Sequence, residues 1–285
     1  MKNKIGIIDV GGGLRDIYGA GIFDYLLDNQ IYLPYSLGIS AGSANVASYT
    51  SRQRGRNKVF YEDYSFRKDY ISFHNFVTKG SYIDLDYVYG TLSNEGGENP
   101  WDYDSAMKYD GEMVVAVSNA ETGKQEYFYK KDFKKNDYGM LAASSCVPIV
   151  CKEYNWRGKK YYDGGISNPI PVEKAYEDGC SKVIVILTRP VEYRKTEGKD
   201  QVFYKRLKNK YPIIMQELYD RPETYNSMIE NLLNNDVKSG KAFIVAPDDD
   251  LNMKMLEKDK NKLETLYQKG YNDGAKVKEF IIKNS

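Results

Sequence analysis

A single histidine, His74, occurs in the 285 residues. It sits early, in an irregular tyrosine-rich segment, so a hydrolase triad whose histidine comes late in the chain finds no base. A catalytic zinc built on a histidine pair is excluded as well. Cysteine is scarce. Cys146, Cys151 and Cys180 are odd in number and match no zinc or C-x-x-C spacing, which reads as reduced thiols of a cytosolic protein. No apolar run approaches the roughly 20 residues of a membrane span, and the N-terminus has no apolar signal region or cleavage site. We therefore expect a soluble, cytoplasmic protein whose contact with membranes, if it has any, is peripheral. The net charge of +1 lacks the basic excess that a nucleic-acid surface needs.

What is present is an ordinary globular composition, 41% hydrophobic and 28% charged, in a chain long enough for a sizeable core. The 27 tyrosines mostly reflect a Tyr- and Lys-rich background, and some suit the wet edge of a pocket or a lipid-facing boundary. Residues 5–10 are apolar, glycines follow, and Leu14, Ile17, Tyr18, Ile22, Tyr25 and Leu26 recur at helical spacing. Pro34 opens a second strand that ends at Ser40, with a helix over 41–51. Two β-α units in a row predict a parallel sheet with helices packed on it. Residues 52–109 break the rhythm and read as an insertion with short helices, either a cap near the site or an ordinary helical excursion. Hairpins are predicted over 113–117 with 126–129 and over 149–154 with 160–162. Short helices are predicted over 137–145 and 171–177, a buried strand over 182–187 and a last strand over 242–245. Longer helices are predicted over 203–218, 223–237 and 251–282, the last with Leu263, Leu266, Tyr267 and Tyr271 on one face. The expectation is one α/β domain with a helical C-terminal part packed on it.

Gly38-Ile39-Ser40-Ala41-Gly42 is a G-x-S-x-G, the pattern of a serine nucleophile on a sharp strand-to-helix turn. Such a turn is crowded, and Gly38 and Gly42 to either side of Ser40 relieve it. The helix that follows points free N–H groups toward the serine. Five residues are a weak pattern alone; the apolar strand before them and the helical pattern after them strengthen it. Gly11, Gly12 and Gly13 let backbone N–H groups approach a ligand with no Cβ in the way, as an oxyanion hole requires. Arg15 is placed to brace this loop or to neutralise an anionic head group. A rival reading is a dinucleotide-binding G-x-G-x-x-G, which fails at Asp16 and lacks an acidic residue at the end of the second strand. A tight turn with no ligand is the third. For a base, Tyr162-Asp163-Gly164-Gly165 offers a carboxylate at a strand end with two glycines turning beneath it. A carboxylate within hydrogen-bond reach of a serine is a competent general base, and partial desolvation raises its basicity. On its own, Asp-Gly-Gly is most often only a turn.

Four segments occur in one order: GGGLRD, GISAG, ASSCVP, and YYDGG with SNPIPVEKA after it. Together they resemble the patatin-like phospholipase family over roughly residues 4–190. The resemblance implies a three-layer α/β/α sandwich with a mostly parallel central sheet. It implies a Ser–Asp dyad without histidine: Ser40 as nucleophile, Asp163 as base and the backbone of Gly11, Gly12 and Gly13 as oxyanion hole. Arg15, Gly38, Gly42, Gly164 and Gly165 would support them. The domain would span 1–190 with 52–109 inserted, and 191–285 would be a helical extension like that of a bacterial subgroup.

The chemistry implied is hydrolysis of a lipid carboxylic ester (phospholipid, lysophospholipid or acylglycerol) through an acyl-enzyme, with no metal or organic cofactor. Asp16 departs from the family, whose glycine loop often ends in glycine; the donors lie earlier in the loop. An acyltransferase of the same fold and a catalytically silent lipid-binding regulator are the alternatives. Lys254, Lys258, Lys262 and Lys269 suit peripheral contact with a membrane, whereas the interleaved Glu257, Asp259 and Glu264 suit a docked helix with a solvated face.

Overall fold

In the computed structural model, residues 4–198 and 201–284 are described. Eight strands form one sheet: β1 (Ile5–Asp9), β2 (Tyr35–Ile39), β3 (Glu112–Asn119), β4 (Gln125–Tyr129), β5 (Tyr154–Trp156), β6 (Lys159–Asp163), β7 (Lys182–Ile186) and β8 (Ala242–Val245). Their order is β5-β6-β3-β2-β1-β7-β8, with β4 also paired to β3. The run β3-β2-β1-β7-β8 is parallel; β4, β5 and β6 are antiparallel to their neighbours. The α-helices among the described residues are α1 (Ile17–Asp28), α2 (Ala41–Thr50), α3 (Arg56–Glu62), α4 (Phe73–Lys79), α5 (Tyr103–Lys108), α6 (Gly139–Ser144), α7 (Val172–Glu177), α8 (Gln201–Tyr204), α9 (Pro212–Asn231) and α10 (Lys260–Asn284).

Successive side chains of a strand point to opposite faces, and here both faces are covered. Ile5 and Ile7 of β1 pack with Val46 of α2, Ile22 of α1 and Leu266 of α10. Ile8, between them, packs with Val172 of α7 and Ile229 of α9. Burial on both faces explains why the parallel strands read as continuous apolar runs. The result is the α/β sandwich expected, with a helical C-terminal part.

That part is bound into the domain by its backbone. β8 extends the sheet beyond β7, and α10 lies against α1. Their closest approach is at Gly270, where an added Cβ would stand 2.0 Å from the Tyr18 carbonyl oxygen. Hydroxyls flank the contact: Tyr18 donates to Asp273 at 2.7 Å and Tyr267 to Asp24 at 2.8 Å.

Three expectations change. The strand predicted over 149–154 is confined to β5; Ile149 has φ +79° and the Cys151 N–H closes a turn onto the Val147 carbonyl, so this segment bends back to line a cavity. The helix break predicted between 218 and 223 is absent. Pro222 lies inside α9, with the helix starting at Pro212 instead, where a missing N–H costs nothing. The last helix starts at Lys260, not 251. Leu251 and Asn252 have positive φ, and Asp259 caps the helix through bonds from the N–H groups of Asn261 and Lys262.

Filling the α1–α10 contact should loosen the extension. Gly270→Ala is expected to cost about 1–3 kcal/mol by overpacking, read as a lowered urea midpoint, while Asn272→Ala on the exposed face leaves it in place. Equal midpoints for the two variants would contradict the close contact.

Candidate active site

The site is set by the two edges of β3. Ala116 pairs with Ile39 on one edge and Tyr127 on the other; Val117 pairs with Asp163 and Glu126. β4 holds one edge throughout, so β2 and β6 share the other. β2 runs with β3 and stops at Ile39. β6 runs against it and stops at Asp163, one register step further along. The two strands therefore meet end to end, and Ser40 leaves one where Asp163 completes the other. Gly164 makes the junction possible, since a Cβ there would lie 2.3 Å from the Ala116 carbonyl oxygen.

Ser40 has φ +57° and ψ −132°, a conformation that costs a non-glycine residue on the order of 1–3 kcal/mol. Its surroundings hold it there. A Cβ at Gly38 would lie 2.5 Å from the Gly42 carbonyl oxygen, and one at Gly42 2.5 Å from that of Asp9. The Ser40 N–H donates to Ser144 Oγ at 2.9 Å, and that hydroxyl donates to the Ala116 carbonyl at 2.7 Å. The Ser40 carbonyl accepts from Ser43 Oγ at 2.6 Å and Ser145 Oγ at 3.3 Å. The ASSCVP segment thus clamps the turn.

The glycine loop lies against it. Gly11 has φ +73°, and its Cβ would fall 2.8 Å from the Cβ of Ser40. The N–H groups of this loop divide into two sets. That of Gly11 turns inward to Asp9 Oδ1 at 3.1 Å, and that of Leu14 donates to the Met255 carbonyl at 2.8 Å. Those of Gly12 and Gly13 find no acceptor among the described residues. Arg15 reaches the Met253 carbonyl at 3.5 Å; burial, then the nearby charge of Arg189, lowers its pKa to about 10.

Asp163 is 3% exposed. Burial raises its pKa; the Arg221 charge, the Ser40 hydroxyl and the Gly165 N–H at 2.8 Å oppose that shift. The Ser40 hydroxyl thus acts on the Asp163 carboxyl at close range. His74 is exposed on α4 and lines neither cavity that reaches Ser40.

Asp9 and Asp16, behind the loop, are both fully buried. Asn45 Nδ2 bonds Asp9 at 3.0 Å, yet among the described residues no N–H or O–H group donates to either carboxyl oxygen of Asp16. Its neighbour is the Asp9 carboxyl. Two carboxylates in contact do not both ionise, so the pair retains a proton. Burial raises the pKa of Asp9 to about 6 and that of Asp16 well above its usual value.

Ser40 stands between two cavities. One is a narrow cleft lined by Phe60, Ile71, Leu85, Val88, Tyr89 and Leu256, among others. Its one charged side chain, Arg56, turns its guanidinium to Ser48, Ser93 and the Asn99 carbonyl. The other, about 370 Å³, has a mixed lining and holds Asp163 and the glycine loop with Arg15, Arg189, Lys195 and Arg221. The sequence reading singled out Ser144 and Ser145 only as part of the ASSCVP segment, with no role, and missed Arg189 and Arg221. A cation directly after β7 was a usable signal for Arg189; Arg221 had none.

Residues 10–176 match the patatin-like phospholipase family, and residues 211–283 match a domain of unknown function (DUF6363). The chain belongs to the patatin-like phospholipase family. It is 28% identical over 196 residues to the uncharacterized protein YjjU of Escherichia coli (strain K12), covering 67% of this chain. The match takes in 53% of that relative, about half its length. Its fold is similar to that of VipD from Legionella pneumophila, with a TM-score of 0.53 at 12% identity over all of this chain and 67% of the other.

The Asp9–Asp16 pair has a pH signature. Its folded pKa values lie above the unfolded one, so its contribution to stability is complete in acid and is lost as pH rises through about 6. Asp16→Asn keeps the shape without the charge. It should be more stable than wild type by about 1–3 kcal/mol at pH 8 and closer to it at pH 5. A urea-unfolding difference that does not change with pH would count against the shared proton.

Proposed function

We propose that this protein is a serine acyl hydrolase of lipid carboxylic esters, acting through a Ser40–Asp163 dyad. The observation that carries this reading is the end-to-end meeting of β2 and β6. It places a strained serine against a buried carboxylate, beneath two N–H groups without acceptors. Family membership supports a lipid ester as the substrate.

In the mechanism we infer, the ester carbonyl lies under the glycine loop with its acyl chain in the apolar cleft. Asp163 takes the Ser40 proton as Oγ attacks the carbonyl carbon. The N–H groups of Gly12 and Gly13 receive the developing oxyanion; Gly11 gives the loop its shape. The tetrahedral intermediate collapses, the ester C–O bond breaks, and Asp163 returns the proton to the leaving alcohol. Water then attacks the acyl-enzyme with Asp163 as base, releasing the acid and restoring Ser40. Asp163 must be ionised to start, so burial of its carboxyl places the acidic limb of the rate above the ordinary aspartate range.

Hydrolysis of p-nitrophenyl esters of increasing chain length, with EDTA present, tests the dyad. Ser40→Ala and Asp163→Asn should each lose roughly 10³-fold or more in kcat/KM, and His74→Ala should match wild type. Retained activity in Ser40→Ala, or loss in His74→Ala, would sink the proposal.

A further inference from the structure

The apolar cleft contains a cation that no anion answers. Arg56 is 8% exposed and lines the cleft together with Ser40. Its Nη1 donates to Ser48 Oγ at 3.2 Å, and its Nη2 donates to Ser93 Oγ at 2.9 Å and to the Asn99 carbonyl at 3.1 Å. All three acceptors are uncharged. Its Nε is buried and meets no acceptor among the described residues. We propose that Arg56 forms the far end of an acyl-binding cleft and receives a carboxylate there, so that the substrate is an ester whose acyl chain ends in a second carboxylate, a half-ester of a dicarboxylic acid. The inference rests on reading Ser40 as the nucleophile and this cleft as the acyl site.

The helix after Ser40 sets the reach. Ala41 and Ala44 line the cleft, and Ser48 follows on the same face of α2, since residues three and four apart are neighbours on a helix. From Ala41 to Ser48 the helix advances about 10 Å. The Arg56 guanidinium bonds to Ser48, so it lies about that far down the cleft from the Ser40 turn. The cleft holds about 80 Å³, room for about six water-sized groups. Length and volume both suit a chain of about six to eight carbons. Phe60, Leu85 and Val88 give that path apolar walls.

A buried charge without a counter-charge is costly. The bonds to Ser93 and Asn99 tie two segments to α2, but such ties need donors and no charge; an amide side chain would supply donors at less cost. Among the described residues no carboxylate pairs with Arg56. Burial raises the pKa values of the neighbouring phenols, Tyr89 and Tyr138, and keeps both uncharged. The Phe60 ring, 4.6 Å away, offers only its quadrupole. Burial lowers the Arg56 pKa to about 10, so the guanidinium is still charged at neutral pH. One carboxylate would balance one guanidinium, through hydrogen bonds that charge strengthens. A methyl end would strip water from Arg56 and give nothing in return. A doubly charged anion would leave one charge unpaired among apolar walls.

Matched p-nitrophenyl esters make the test: the hexanoate against the half-ester of adipic acid, and the octanoate against the half-ester of suberic acid. Each pair has the same carbon count and differs in a methyl or a carboxylate end. Wild type should favour the carboxylate ester in at least one pair, by roughly tenfold or more in kcat/KM. A methyl preference, or none, in both pairs overturns the proposal, and this arm needs no variant. Arg56→Gln keeps donors for the ties; it should cut the ratio by roughly tenfold or more, mainly through KM for the carboxylate ester. Arg56→Lys keeps the charge and should restore part of the ratio. If Arg56 only ties segments together, both esters of a pair fall alike, the ratio stands and the proposal is overturned. Binding gives a readout without turnover. In the Ser40→Ala background, Arg56→Gln should weaken calorimetric binding of monomethyl suberate by roughly tenfold or more, and equal affinity overturns the proposal. If Ser40→Ala still hydrolyses the esters, the nucleophile assignment falls, whereas the binding arm judges the cleft on its own.

Discussion

One edge of one strand organises this molecule. β3 lends its free edge first to β2 and then to β6, and the handover falls between Ala116 and Val117. A parallel strand and an antiparallel strand that share an edge must stop where they meet. Their last residues then project from a single place in a rigid sheet. Neither Ser40 nor Asp163 depends on a flexible loop for its position. The strain at Ser40 is offset by bonds reaching in from the same strand, through Ser144 to the Ala116 carbonyl. Their relative position thus comes from backbone register, which is harder to perturb than side-chain packing.

Charge is distributed around that junction with few direct pairings. Asp163 is buried and answered by Arg221 across space. Asp9 and Asp16 are buried and answered by a proton. The second arrangement costs stability at neutral pH and fixes the glycine loop in return. Asp9 holds the Gly11 N–H, and Asn45 joins Asp9 to the Asp16 carbonyl. With the Gly11 N–H drawn inward, those of Gly12 and Gly13 are left without an acceptor among the described residues.

Much of this was legible in the sequence, and the limits have physical causes. Ser40, Asp163 and the glycine loop stand out because tight turns demand glycine and small residues, which leave a mark in the chain itself. Asp16 stood out as a departure, but its meaning required knowing that Asp9 lies beside it. Ser144 and Ser145 were seen as small residues at a helix end; their bonds to Ser40 cross more than a hundred residues. α9 was split in two because proline usually breaks a helix, a rule that tertiary packing overrides here. The stretch before α10 looked helical since its apolar and charged residues recur suitably, yet the Met255 carbonyl is needed at Leu14 and the chain passes over the loop instead.

That last detail bears on the role of the extension. A segment that merely packed on the outside of a finished domain would leave the site intact when removed. Here the Met255 carbonyl takes the Leu14 N–H, Met255 closes over Gly13, and Met255 borders both cavities at Ser40. The glycine loop is held from below by Asp9 and from above by the chain between β8 and α10. α10 is in turn fixed on α1, the helix that the loop leads into. The extension therefore closes a circuit that begins and ends at the loop. Loss of that circuit would release the glycine loop before it unfolded the sheet.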